Sequence, residues 1–228
     1  GEYFCNPVAE VFLEEGAKLR HSYVQADAGR STHLKATLVQ QRERSSYRLV
    51  ETSLGGGVAR HDLSILQLGR ETETVMRHFV LAGEGQLHDL HSQLVLDHPD
   101  GVADQLHKCI ATSASSRGVF DGNVQVQRRA QGTDAAQLTR NLLLRRGATI
   151  NAKPNLQIIA DDVKCSHGCT VSDLEEEELF YFASRGISEE DARLTLVRSF
   201  GLEVTQGLQD YPELFQRVVH ATADALGQ

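Results

Sequence analysis

The stretch NAKPNLQIIADDVKCSHGCT, residues 151–170, ends a long series of β-type runs and leads directly into an acidic, helix-like tail. Cys165, His167 and Cys169 lie at alternate positions within it. If the segment is an extended strand, all three side chains leave the same face. Thiolate and imidazole groups hold zinc, soft transition metals and iron–sulfur clusters. The stretch therefore indicates a β-rich protein whose last strand carries candidate metal ligands.

The chain before this stretch consists of short β-type runs, many of which alternate apolar and polar residues. Such runs begin at residues 33, 46, 61, 73, 88, 105, 123, 136 and 156, with Gly, Asp-Gly, Asp-Pro or Arg-Gly between many of them. The pattern fits a sandwich or barrel, or a β-solenoid whose coils each use two runs. The spacing alone favours the sandwich or barrel. Alternation is expected to turn most of the ten histidines outward, into structural or solvated positions.

After residue 170 the apolar periodicity changes to that of helices. The spacing predicts a first helix that starts with a capping box made of Ser172 and Glu175 and ends at Gly186. Its expected apolar contacts are Leu174, Leu179, Phe180 and Phe182. The change of period predicts a boundary near residue 170.

Two more helices are predicted in the tail. Ser188 is expected to cap the second helix, and the third begins near Pro212 and includes Leu226. We therefore divide the chain into a β core over residues 1–170 and a helical domain over residues 171–228.

Charge separates the two parts of the chain. Residues 1–170 contain 19 acidic and 19 basic side chains, whereas residues 171–228 contain 12 acidic and 4 basic ones, so the tail accounts for the net charge of -8. An acidic tail argues against nucleic acid or an anionic membrane as its partner. It suits a basic protein surface or a solvated helical face.

Composition and motifs exclude several classes of protein. The chain has 40% hydrophobic and 24% charged residues, as globular proteins do, and no apolar run is long enough to span a membrane. No signal pattern opens the sequence, and we expect any targeting peptide to be missing. The glycines at 55–57 lack the lysine and helix of a phosphate-binding loop, and no nucleophile elbow is present. With four cysteines in 228 residues, a reducing compartment is expected.

The Cys165, His167 and Cys169 set is incomplete as a metal site. Neighbouring side chains on one strand face lie about 7 Å apart, so three of them cannot surround a tetrahedral metal. The remaining ligands would have to come from another strand or another subunit. Two other interpretations remain open, namely purely structural residues and a stand-alone Cys/His metal-binding β-protein or metalloenzyme.

The sequence resembles the SufD subunit of the Suf iron–sulfur cluster assembly machinery, in the SufB/SufD family, and the detail is closest to plant and algal plastid members. The residues that carry the resemblance are KPNLQIIADDVKCSHGCTVSDLEEEELFYFASRGIS from 153, LHDLHSQLVLDHPDGVADQLHKCI from 87, RGVFDGNVQVQRRAQGTDAAQLTRNLLLRRGATINAKPNL from 117 and AKLRHSYVQ from 17. They follow in order over nearly the whole chain.

This resemblance implies a right-handed parallel β-helix followed by a small C-terminal helical domain, in place of the sandwich that the spacing favours. It implies a non-enzymatic scaffold that pairs with a SufB-type subunit through the β-helix edge and binds a SufC-type ATPase through the helices. We take residues 173–184, with Phe180 and Tyr181, and the turn at residues 186–187 as the candidate ATPase contact.

The family also suggests site residues and a location. His167 is the expected ligand of a nascent iron–sulfur cluster that is transient and shared with SufB, and Cys165 is a weaker candidate. Cys169 departs from the small residue that is usual in the family. No cluster is expected to stay on the isolated chain, which would be able to form a homodimer. The expected location is the plastid stroma, or the cytoplasm for a bacterial protein.

Overall fold

A computed structural model describes residues 2–174 and 176–224 of the chain. The strands, in chain order, are β1 Phe4–Cys5, β2 Val8–Leu13, β3 Lys18–Gln25, β4 Thr32–Gln41, β5 Ser46–Ser53, β6 Val58–Gln67, β7 Glu73–Ala82, β8 Leu87–Leu96, β9 Val102–Ala111, β10 Arg117–Val126, β11 Asp134–Leu143, β12 Thr149–Ile158 and β13 Lys164–Ser172. The helices are α1 Glu176–Ser184, α2 Glu189–Thr205 and α3 Pro212–Asp224, with a 3-10 turn at Gln206–Leu208.

The strands form two parallel sheets that face each other. Sheet A has the order β1-β4-β6-β8-β10-β12, with β2 also paired to β4, and sheet B has the order β13-β11-β9-β7-β5-β3. Each turn of the chain adds one strand to each sheet, which gives a β-solenoid of about six turns. The predicted fold class, a parallel β-helix with C-terminal helices, is confirmed. The sandwich or barrel favoured by the spacing is wrong, because the strands pair in parallel with the strand one coil away.

The space between the sheets is divided into an apolar part and a polar part. Inward side chains from successive coils, among them Leu49, Leu63, Met76 and Leu94, stack into one continuous apolar core. These positions alternate with outward residues along each strand, as the period of two requires.

The helical tail packs against the outer face of sheet B. Val197, Val204 and Leu208 join Phe79 and Ile110 in a second apolar cluster. Because β7 and β9 are covered by the interior on one face and by helices on the other, their C-terminal halves are continuously buried. The tail and the core therefore share one apolar contact layer, and the division at residue 170 stays a prediction.

Lys108 anchors α2 to the sheet. It points outward from β9 but is almost fully buried under the helix, where its ammonium pairs with the carboxylate of Glu203. The same Nζ donates a hydrogen bond of 2.9 Å to the carbonyl oxygen of Phe200 and lies 4.3 Å from the centre of the Phe200 ring. The Lys108 hydrogen bond holds the pKa of Glu203 below its usual value.

The predicted helix starts are partly correct. Ser188 caps α2 by accepting a hydrogen bond from the Asp191 backbone N–H, and α3 begins at Pro212. Ser172 is instead the last residue of β13, and its expected partner Glu175 lies outside the described residues, as does Leu226.

The first helix makes only part of the apolar contacts expected of it. Leu174, just before α1, packs against the second apolar cluster, and Leu179 and Phe182 are half-buried. Among the residues that the structure describes, α1 has no buried side chain, and Phe180 is 74% exposed. The prediction that Phe180 makes apolar contacts is therefore wrong, because α1 packs mainly against α2 and leaves this ring in solvent. No helix in the described ranges is long and apolar enough to cross a membrane.

Replacing Lys108 with Met should weaken the docking of α2. Met keeps the length of the side chain but removes the charge-assisted hydrogen bond to Phe200 and the pair with Glu203, at a cost of about 1–3 kcal/mol. Urea unfolding followed by circular dichroism measures the loss. The exposed Lys18→Met is the matched control, and equal unfolding free energies for the two variants would contradict the role given to Lys108.

Candidate functional site

Within the part of the chain that the structure describes, no further coil follows the last coil of the solenoid. β12 and β13 form the C-terminal edges of sheets A and B, paired on one side to β10 and β11. In every earlier coil, the next coil covers the inward side chains. The inward side chains of the last coil are consequently open at the end of the solenoid.

Strand register shows which side chains these are. Cys165, His167 and Cys169 lie beside Ala135, Gln137 and Thr139 of β11, all three of which are buried inside the solenoid. Parallel neighbours in register point to the same side of a sheet. The three candidate ligands therefore share the inward face of β13, as the alternation predicted, while Ser166 and Gly168 face outward. Their role as ligands stays a prediction.

Apolar side chains from the other sheet complete this end. Ile150, Ala152, Pro154 and Leu156 of β12 are in register with the inward positions of β10 and are half-buried. On β13, Val171 follows the candidate ligands on the same face and is exposed. The open end is thus an apolar surface that contains two thiols and one imidazole.

The two thiols differ in their surroundings. Cys165 is half-buried and packs against the apolar core, whereas Cys169 is exposed. Burial raises the pKa of the Cys165 thiol above its ordinary value, and the nearby Asp134 carboxylate adds to this shift. Burial also raises the pKa of Cys169. Both groups are therefore protonated thiols at neutral pH, and a metal would have to displace a proton to bind either one.

The chain does not assemble a complete metal site by itself in its described part, where no three His, Cys, Asp or Glu side chains are grouped closely enough to hold a metal ion. All four cysteines are free. Cys109 is buried inside the solenoid, where burial raises its pKa to about 12, and Cys5 lies on β1 at the opposite end. Neither of them adds to the set on β13.

The polar part of the interior was not predicted. Five histidines point inward and are buried, against the expectation that most would face outward: His33, His61, His78, His88 and His107. The predicted alternation of the strands is correct, but these five histidines lie on the inward face and not on the outward face. A signal was available, because His61 shares its strand face with Leu63 and Ile65, both of which are core residues.

An ion cluster lies at the centre of this polar part. The Glu51 carboxylate is 3.4 Å from Lys35 Nζ, 2.8 Å from His61 Nδ1 and 3.9 Å from His78 Nδ1, and all four side chains are buried. Burial alone would raise the pKa of Glu51, but the neighbouring His61 and Lys35 outweigh it and hold the pKa well below its usual value. Glu51 and Lys35 therefore form an ionised pair inside the solenoid.

Fold and site together define a β-solenoid protein that presents two thiols and one imidazole on the open face of its last strand. The profile of the family "SUF system FeS cluster assembly, SufBD core domain" matches residues 1–200. The chain belongs to this family.

Similar proteins agree with this assignment. The chain is 54% identical over 206 residues to the Arabidopsis thaliana protein named "Protein ABCI7, chloroplastic". The matched region covers 90% of the chain and 43% of that protein. It is 44% identical over 202 residues to the SufBD family protein slr0076 of Synechocystis, covering 89% of the chain and 44% of that protein. It is 37% identical over 159 residues to Escherichia coli SufD, covering 69% of the chain and 37% of that protein. The chain thus spans less than half the length of these relatives.

The buried histidines predict a loss of stability in mild acid. Burial lowers the pKa of His78 and His88 to about 4 and that of His107 to about 3. The unfolded chain therefore binds more protons than the folded one below pH 6.5, and stability falls as the pH drops from 6.5 towards 4. The thermal midpoint should fall by roughly 10 °C between pH 7.5 and 5.0.

Differential scanning calorimetry of two variants checks the cause of this loss. His107→Gln should reduce the slope of the midpoint against pH, whereas the exposed His220→Gln should keep the wild-type slope. Identical slopes in all three proteins would show that the buried imidazoles are not responsible.

Proposed function

We propose that this chain is a non-enzymatic scaffold subunit for iron–sulfur cluster assembly, and that its open solenoid end receives the nascent cluster together with a SufB-type subunit. The observation that carries this proposal is the inward-facing set of Cys165, His167 and Cys169 at an end that no coil among the described residues covers. A second solenoid that abuts this end would bury the apolar surface and supply the missing ligands.

His167 is the principal candidate ligand within this site. A neutral imidazole can offer one ring nitrogen to iron while a neighbouring group orients the other. It lies in the middle of the exposed face, between the two thiols. Cys165 is a second candidate, whose raised pKa argues that it binds only when iron displaces its proton.

Incompleteness is a useful property for a scaffold. A chain that held all ligands would retain the cluster, whereas a site shared between two subunits releases it when they separate. We therefore expect the cluster to be transient cargo of the complex and the isolated chain to hold none. Without a SufB-type partner, the same apolar end could pair with a second copy of this chain to give a homodimer.

We assign the contact with a SufC-type ATPase to the helical tail. Helix α1 exposes Phe180 and Tyr181 beside an acidic first turn that contains Glu176, Glu177 and Glu178. Exposed aromatic side chains are common anchors of protein interfaces, and acidic residues at their rim favour a basic partner.

The likeness to a chloroplastic relative supports a plastid location, for which we propose the stroma.

The stand-alone metalloprotein is less well supported. It would need three or more ligands grouped within one chain, and the described residues contain no such group. A purified lone chain that holds a stoichiometric cluster would favour that alternative.

Substituting His167 tests the proposed ligand. We expect His167→Ala, co-expressed with SufB-type and SufC-type partners, to lose at least roughly tenfold of the complex-bound iron and sulfide, because one ligand bond is removed. Complex formation, measured by size-exclusion chromatography, should be unchanged. Iron and acid-labile sulfide analysis gives the readout.

Ser166→Ala is the matched control, because Ser166 lies on the same strand but faces outward. It should retain the wild-type iron and sulfide content. Full cluster content in His167→Ala would mean that the residue is structural, and equal losses in both variants would point to damage of β13 as a whole.

Substituting Phe180 tests the ATPase contact. Removal of a 74% exposed ring leaves the fold intact, but the loss of an interface anchor should weaken ATPase binding roughly tenfold or more. Affinity capture or isothermal titration with the SufC-type ATPase measures this. Phe4→Ala removes another exposed ring, 63% accessible, from β1 and should bind like wild type. Unchanged binding by Phe180→Ala would remove α1 from the interface.

A further inference from the structure

Strands β5 and β7 carry a helix contact on one face and the buried ion cluster on the other. Val50 and Phe79 point outward to the helical tail, and their neighbours on the same strands, Glu51 and His78, point inward. The two faces of a strand share one backbone. The helix contact and the ion cluster are therefore joined by the backbones of the same two strands.

The outer contact is tight enough to transmit such a movement. A β-carbon placed on Gly201 of α2 would lie 2.9 Å from the Phe79 ring, and one on Gly207 would lie 2.6 Å from a Val50 methyl group. Glycine at these two positions lets the helix and the 3-10 turn rest directly on the sheet. Protein interiors have little free space, so a displacement of α2 would change the packing around the Phe79 ring.

The inner contact is loose by comparison. His78 Nδ1 is 3.9 Å from the Glu51 carboxylate, beyond hydrogen-bond distance, and His78 Nε2 has no hydrogen-bond partner although it is buried. A cavity of about 30 Å³ adjoins these groups, which is room for one or two water molecules. A shift of His78 by less than 1 Å would bring it into hydrogen-bond distance of Glu51.

We propose that the seating of α2 on Phe79 and Val50 is coupled to the proton occupancy of the Glu51–His78 pair. When α2 is seated, β7 holds His78 away from Glu51 in a dry site, and the imidazole stays neutral. When α2 lifts, His78 approaches the carboxylate, water enters the cavity, and the imidazole takes up a proton from solvent. By linkage, acid must favour the lifted state by the same free energy.

The surroundings of His78 support this direction. The titratable and charged groups that face it are Glu51 from β5, His107 from β9, Lys35 from β4, His61 from β6, His88 from β8 and Arg77 on its own strand. His33, Arg60 and Asp89 line the same cavity. The Asp89 carboxylate is already paired with Arg60 and His91, so closer contact with Glu51 is the change that stabilises an imidazolium. Burial, the main effect in the seated state, keeps the pKa of His78 at about 4.

Gly201→Val tests the coupling from the helix side. The added methyl groups should push α2 off the Phe79 ring and raise the midpoint of His78 titration by at least one pH unit, a tenfold change in proton affinity. NMR of the histidine ring signals, assigned with His78→Gln, measures the midpoint. Gly29→Ala is the matched control, because nothing lies within 4 Å of its added carbon, and it should leave the midpoint unchanged.

An unchanged His78 midpoint in a Gly201→Val protein whose α2 amides exchange faster than in wild type would overturn the proposal. If that variant does not fold, the wild-type protein supplies the test from the proton side. Hydrogen exchange of the α2 amides, corrected for the intrinsic rate, should increase at least about threefold between pH 6.5 and 4.5, the factor that a one-unit rise of the His78 pKa from about 4 produces, while β10 amides on the other sheet stay protected. His78→Gln should abolish the increase; an increase that persists there, or none in wild type, contradicts the coupling.

Discussion

Each coil of a parallel solenoid buries the inward side chains of the coil before it, and this stacking governs the rest of the molecule. Ala135, Gln137 and Thr139 are buried because β13 lies beside them. Cys165, His167 and Cys169 occupy the corresponding positions one coil later and are left open by the same geometry. No special loop or cleft is needed to make the candidate site, because it is the unfinished end of a repeating core.

The two sheets differ in what covers their outer faces. Sheet B is covered by α2 on its outer face, and Lys108, Gly201 and Phe79 fix the helix at close range. The interior behind this contact contains the ionised Glu51–Lys35 pair. A buried ion pair contributes little net stability relative to well-packed apolar residues. The pair matters more for its position than for its stability, because it lies directly behind the helix contact and so links the tail to the interior.

Much of the secondary structure was predictable from local pattern, whereas the pairing of the strands was not. The runs at 46 and 73 begin where β5 and β7 begin, and the helix starts at Ser188 and Pro212 follow from capping and proline preferences. Sandwiches and solenoids both use period-two strands at similar spacing, so the choice between them depends on which strand lies beside which. That information entered through the resemblance to SufD.

The shared face of the candidate ligands was predictable from the sequence, but its exposure was not. Alternation alone puts Cys165, His167 and Cys169 on one face, but it does not say whether that face is covered. For His61 the polar side chain suggested exposure, but the residue is buried inside the solenoid. Lys108 does face outward from its strand and is still buried, because α2 covers it. Phe180 is the reverse case, an apolar residue left in solvent. Burial depends on what packs against a face, which local sequence does not contain.

If a second polypeptide covers the open end of the solenoid, Cys169 must lose its access to solvent when the partner binds. Thiol alkylation rates of Cys169, measured by mass spectrometry on the isolated chain and on its complex with a SufB-type subunit, distinguish the two states. We expect ready alkylation of Cys169 in the isolated chain and strong protection in the complex, with Cys165 slow in both. Equal alkylation of Cys169 in the two states would show that the partner binds elsewhere.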